Sequence, residues 1–125
     1  MWVFYNPNPK GARVGDCAIR AVSKALNLTW EEAYFLIMAK AFSMYDMPSS
    51  NAVWGEVLRE HGFKRRVIPT ACPDCYSIKD FCKDNPQGIY VLGASGHVVT
   101  AENGSYFDTW DSGDEIVIYF WFKEA

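Results

Sequence analysis

Residues 97–110 read His97-Val98-Val99-Thr100-Ala101-Glu102-Asn103-Gly104-Ser105-Tyr106-Phe107-Asp108-Thr109-Trp110. Asn103-Gly104 is a two-residue hairpin turn, because both central positions of such a turn need positive φ and Asn and Gly adopt it most readily. The flanks are then strands, His97 to Ala101 and Tyr106 to Trp110. With the turn fixed, Glu102 pairs with Ser105, which sets His97 opposite Trp110 and Val99 opposite Asp108. Side chains alternate along a strand, so His97, Val99, Asp108 and Trp110 share one face. Asp108 becomes the diagonal neighbour of His97, within side-chain reach.

Outward from this hairpin the strand pattern continues. Ile89 to Leu92 is a strand before it. Ile116 to Phe122 is another after the turn Asp111-Ser112-Gly113-Asp114. Upstream the period changes to that of helices. Asp16 stands at the N-cap of an apolar-periodic run from Cys17 to Leu26, with Ala18, Val22, Ala25 and Leu26 on one face and Arg20, Ser23 and Lys24 elsewhere. Thr29-Trp30-Glu31-Glu32 is a capping box and opens a second helix to about Phe42. Ser49, Ser50 or Asn51 caps a third, which ends near Gly62. Phe63 to Ile68 reads as a strand, and Ser77 caps a short helix, Ile78 to Lys83, stopped by Asn85-Pro86. A short opening strand precedes an irregular stretch holding Pro7, Pro9, Gly11 and Gly15. The expectation is one α+β domain spanning 1–125, with N-terminal helices packed on a C-terminal antiparallel β-sheet.

The 125 residues are half hydrophobic and 16% aromatic, enough to build a core without covalent staples. A net charge of −3 argues against nucleic acid as a partner, and the basic triplet Lys64-Arg65-Arg66 is too short to reverse that. No apolar run is long enough to span a bilayer, and Met1 to Tyr5 runs into Asn-Pro-Asn-Pro with no leader pattern. A cytoplasmic protein is expected, in which the four cysteines serve catalysis, metal binding or burial rather than disulfides.

Cys17 is suited to nucleophilic chemistry. It lies in the first turn of a helix, where free amides and the helix dipole favour the thiolate. Gly15 lets the backbone turn sharply before it, and the Cys17 amide is a candidate donor to an oxyanion. His97 follows the small residues Ser95 and Gly96, which leave its ring uncrowded. Asp108 is placed to accept from that ring and fix its tautomer, with Trp110 shielding the bond from water. Cys17, His97 and Asp108 thus form a candidate nucleophile, base and orienter. The chemistry needs no cofactor. A separate reading concerns Cys72-Pro73-Asp74-Cys75. With Cys82 and His61 these thiols form an alternative zinc set, against which stands burial in a turn and on a helix. Among the aromatics, Tyr34, Phe35, Phe42, Trp54, Tyr119, Phe120, Trp121 and Phe122 are expected mainly in the core. The last four are consecutive, so some face outward, which leaves room for a homo-oligomer interface.

The segments Gly15-Asp16-Cys17-Ala18-Ile19-Arg20-Ala21, Ser95-Gly96-His97-Val98-Val99 and Tyr106-Phe107-Asp108-Thr109-Trp110-Asp111 resemble the papain-like superfamily of cysteine peptidases. The nearest likeness is to its small bacteriocin-processing branch and relatives in bacteria and phages. Asn6 to Cys17 is similar to a phage-type group of that superfamily. The resemblance implies a cysteine peptidase or thiol hydrolase that cleaves a peptide or isopeptide bond in a peptide or protein substrate. In it Cys17 attacks, His97 carries the proton and Asp108 orients His97. The family carries a Gln shortly before the cysteine to complete the oxyanion hole. This chain has none there, its one glutamine being Gln87. Asn6, Asn8, Asp16 or a backbone amide would have to serve. The competing functions are a non-catalytic papain-like binding protein, such as a phage or bacterial effector engaging a host protein, and a zinc-stabilised interaction domain.

Overall fold

The computed structural model describes residues 1–69 and 76–123. The elements run β1 (Trp2–Phe4), α1 (Cys17–Leu26), α2 (Trp30–Met44), α3 (Asn51–Glu60), β2 (Phe63–Val67), α4 (Ile78–Asp84), β3 (Ile89–Ala94), β4 (His97–Glu102), β5 (Ser105–Asp108) and β6 (Tyr119–Lys123). Local signals decide most of these. Asn103 and Gly104 both have positive φ, and Glu102 pairs with Ser105. Thr29 and Glu32 form the reciprocal capping box of α2, and Ser77 with Asp80 forms another on α4. Ser50 caps α3, and Gly62 follows it at φ 91°.

The architecture is α+β, but the sheet is mixed and is not confined to the C-terminal half. Its order is β1-β5-β4-β3-β6-β2. β1 pairs with β5 in parallel, whereas the remaining ladders are antiparallel. β5 turns away at Asp108 and leaves an open edge, and Trp2–Phe4 lie along it. A three-residue strand without alternation carries no sign of its direction. The last strand is also shorter than expected. Residues 116–118 bond across to the start of α4 and to neighbouring strand ends, through a lone Ser77–Ile116 bridge, Val117 N to Tyr76 O, and Ile118 N to Gly93 O. Regular pairing therefore begins at Tyr119.

Two apolar layers sandwich the sheet. On one face α1, α2 and α3 pack Val22, Ile37, Val53, Trp54 and Leu58 against Val91, Val98 and Trp121. On the other, Ile78 and Phe81 of α4 meet Leu92, Val99, Ala101 and Tyr106. Adjacent residues of β3 and β4 thus serve opposite layers, which explains strands that read as continuous apolar runs. The consecutive aromatics of β6 are covered largely from within. Arg65 lies over Tyr119 at 4.4 Å and Arg66 over Phe122 at 5.0 Å, while Phe120 packs on Phe81. Not every aromatic assigned to the core lies there: Phe35 and Phe42 of α2 are exposed. Among the described residues no helix is long and apolar enough to cross a membrane.

Candidate active site

Helix α1 begins at a cleft of about 380 Å³, lined by Gly15, Asp16, Cys17, Ala18 and Ile19 together with Gly96, His97 and Val98. The helix starts where the sequence predicts, with Asp16 at the N-cap position. The Asp16 side chain, however, makes no cap bond. Its carboxylate is turned inward, where Oδ1 pairs with Arg20 Nη1 and Oδ2 accepts from Trp30 Nε1 at 2.9 Å. The first-turn amides are consequently left without a side-chain cap from Asp16, at the end where Cys17 lines the cleft.

His97 Nε2 is bonded to Asp108 Oδ2 at 2.6 Å. Nδ1 is then the ring nitrogen left to face Cys17, which lines the same cleft. The hairpin brings the two residues together as expected, although regular pairing stops at Thr100–Phe107. It stops because Asp108 closes its own turn. Oδ1 accepts from Thr109 N at 2.8 Å and Oδ2 from Ser112 Oγ at 2.7 Å. Trp110 therefore lies beyond the ladder rather than opposite His97, yet its ring is 5.1 Å from the imidazole, centroid to centroid. Trp110 itself is 44% exposed, so it covers His97 as an outer plate. The backbone of Asp108 is held too, since its carbonyl accepts from Tyr5 N at 2.9 Å and Trp2 Nε1 at 3.1 Å.

The electrostatics favour an ion pair. Burial raises the Cys17 thiol, but the hydrogen bond from His97, the Val98 amide, and the charges of His97 and Arg20 outweigh it, and the net shift is downward. Burial lowers His97, and its bonds to Asp108 and Cys17 with their charges reverse this, carrying it from 6.5 to about 9. For Asp108, burial works upward and is outweighed by the bonds from His97 and Ser112, which hold it below the ordinary carboxylate value. Cys82 has no such help, and burial pushes its thiol up.

A reactivity contrast follows. Cys17 is expected to be alkylated by iodoacetamide in mildly acidic buffer, where Cys82 stays protonated and inert. Mass mapping of the alkylated peptides across a pH series checks this. Equal rates at the two thiols would contradict it.

The oxyanion candidates fare unevenly. Asn6 and Asn8 do not line the cleft. Asn6 Nδ2 bonds Ala12 O, and the Oδ1 atoms of Asn6 and Asn8 accept from backbone amides of the same loop. Asp16 does line it, but as a carboxylate paired with Arg20 it offers no proton to an oxyanion. The backbone amides of the first turn of α1 remain. The zinc set is not assembled by described residues: Cys72 and Cys75 lie outside them, Cys82 is buried against the α4 face of the sheet, and His61 Nδ1 bonds Val57 O at 2.7 Å.

Two features escaped the sequence reading. Arg20, placed there off the apolar face, is buried between Asp16 and Asp108. The Asp16–Arg20 spacing of four residues was the available signal. The rest of the lining is mainly apolar and aromatic, from Tyr34, Ile37, Met38, Pro48, Trp54 and Tyr119, with Ser49 and Asn51 among them. Tyr119 reaches it because its ring crosses β3 at Gly93, where a Cβ would stand 2.1 Å away. No protein-family model, curated protein or solved structure matches the chain.

Proposed function

We propose that this protein is a thiol hydrolase of papain-like type, cleaving a peptide or isopeptide bond through Cys17, His97 and Asp108. The observation that carries the reading is the meeting at one cleft of Cys17, at the start of α1, and His97, whose Nε2 is bonded at 2.6 Å to a carboxylate that is 1% exposed. The Cys17 thiolate attacks the carbonyl carbon, and the carbonyl π electrons move to oxygen. First-turn amides of α1 donate to that oxyanion. His97 then passes its Nδ1 proton to the amide nitrogen as the C–N bond breaks, leaving a thioester. Water adds to the thioester and gives a proton to His97, and the acid departs as the thiolate is restored. Asp108 stabilises the imidazolium throughout and is not itself protonated.

The pH dependence follows from the same groups. Turnover requires thiolate and imidazolium together. It is lost on the acid side as Cys17 takes a proton, below the ordinary thiol range. It is lost on the alkaline side as His97 releases its proton at about 9. A kcat/KM profile falling instead at neutral pH on the alkaline side would contradict the assignment of His97.

The cleft also bears on substrate. Its charged lining groups, Asp16 and His97, already have ionic partners in Arg20 and Asp108, and most of the remaining lining is apolar. A substrate bearing a bulky apolar side chain beside the scissile bond is expected to react at least about tenfold faster than one bearing Asp or Lys there, since filling an apolar pocket is worth about 10–200-fold per methylene. A positional library of fluorogenic peptides measures this. The direct test of the whole reading is covalent labelling with a peptidyl electrophile, which should modify Cys17 alone. Labelling spread evenly over Cys17, Cys72, Cys75 and Cys82 would overturn it.

A further inference from the structure

We propose that Arg20 is a positioning residue, a fork between Asp16 and Asp108 that fixes the Asp108 carboxylate in the one orientation presenting Oδ2 to His97. The inference rests on the thiol-hydrolase reading and extends it to a residue that touches neither substrate nor sulfur.

The geometry is specific. The Arg20 guanidinium is almost wholly buried; Nη1 goes to Asp16 Oδ1 and Nη2 reaches Asp108 Oδ1 at 3.1 Å. Asp108 is thereby saturated in two pairs. Arg20 and Thr109 hold Oδ1, while His97 and Ser112 hold Oδ2. Turning the carboxylate breaks both pairs at once. Of these four donors, Arg20 alone comes from α1, the helix that carries Cys17. It therefore ties the orienter of the base to the scaffold of the nucleophile. A buried ion cluster is a weak source of stability, because apolar residues of similar volume serve as well or better. What the cluster supplies here is one carboxylate orientation. Lysine cannot reproduce it, since a single ammonium cannot bridge the two acids as the planar fork does.

The charged and titratable groups around the cleft at Cys17 are His97 from β4, Arg20 from α1, Asp16 before it, Tyr34 from α2 and Tyr119 from β6, with Asp108 behind His97. Arg20 also supports the thiolate by charge, and this effect separates from positioning by substitution. In Arg20→Lys the charge remains and the fork is lost. In Arg20→Met both are lost.

The test uses the purified full chain and three readouts: kcat and KM on an apolar peptide, the pH profile of Cys17 alkylation by iodoacetamide, and the His97 ring N–H proton signal in NMR. Arg20→Lys is expected to lower kcat about thirtyfold to a hundredfold, the scale of an ångström-sized misplacement of a catalytic group. KM stays within about twofold, because uniform binding is untouched. The acid limb of alkylation stays in place, and the ring N–H signal broadens. Arg20→Met is expected to move that limb upward as well. If Arg20→Met fails to fold, Arg20→Lys still decides. A folded Arg20→Lys protein with wild-type kcat and an unchanged N–H signal overturns the proposal, even if it melts earlier. Failure of the underlying reading looks different: the unmodified protein would then show neither turnover nor low-pH alkylation of Cys17, and the role of Arg20 would fall with it.

Discussion

Cys17→Ala is expected to lower turnover by at least about ten-thousandfold, the order lost when the nucleophile of a covalent mechanism is removed. Among the described residues that line the cleft, Cys17 is the one cysteine. Folding should change little. The thiol is half-buried and its loss removes one sulfur atom, so the cost is about 1 kcal/mol or less, a few degrees in melting temperature. Turnover assays and a melting curve on the same preparation separate chemistry from stability. Residual turnover within tenfold of the parent would leave a binding protein that retains the fold as the better account.

Asp108 offers the second large effect, and here activity and stability fall together. Its carboxyl group is surrounded by donors alone, namely Arg20, the Thr109 amide, His97 and Ser112. An amide would turn an N–H toward one of those donor pairs, so Asp108→Asn is not a conservative change. Its expected cost in kcat is about 10⁴, as when the orienting carboxylate of a triad is neutralised. Asp108→Ala takes from the buried Arg20 guanidinium one of its two carboxylate partners, Asp16 being the other, leaves the donors of His97, Ser112 and the Thr109 amide unpaired, and is expected to remove about 3–5 kcal/mol of stability. At about 3–4 °C per kcal/mol for a domain of this size, that is roughly 10–20 °C in melting temperature. His97 would also fall back from about 9 toward 6.5. The pH dependence has a definite sign. Asp108 is held below the ordinary 3.8 in the folded protein. Its contribution is complete above that value and is lost as pH falls through the folded value. The acid arm of the stability curve should therefore be shallower in Asp108→Ala than in the parent. A variant with parent-like melting and parent-like turnover would remove Asp108 from the site.

What the sequence disclosed was local. Asn103-Gly104, Thr29 with Glu32, and the Cys17–Leu26 periodicity each act over a few residues, and each produced the expected element. The hairpin turn was enough to bring His97 near Asp108, although the ladder ends at Thr100–Phe107, short of the expected Val99–Asp108 pair, and the two side chains meet beyond it. Arg20 was misread because its decisive partner lies 88 residues away. Its position off the apolar stripe looked like solvent exposure. Asp16 stands at the N-cap position as expected, but its side chain is taken by Arg20 and Trp30 instead of capping the helix, which local sequence does not disclose. Tyr34, Trp54 and Tyr119 read as core by composition. Only the packing of α2 and α3 over the sheet separates the buried Trp54 from the ring of Tyr34, which both lines the cleft and meets solvent. The edge pairing of β1 was illegible, since three apolar residues match either strand direction.

That edge pairing bears on the order in which the molecule becomes reactive. Trp2 and Tyr5 bind the backbone of Asp108, a partner made 106 residues after Trp2. At synthesis rates of about 5–20 residues per second, the base and its orienter emerge several seconds after the thiol. Closing so long a loop is among the slowest contacts a chain this size makes. Until then β1 has no strand to join, and Cys17 remains an ordinary thiol on a nascent helix. Segments about a hundred residues apart must therefore meet before Cys17, His97 and Asp108 share one cleft, and on the proposed reading a growing chain carries the thiol before the groups that would activate it.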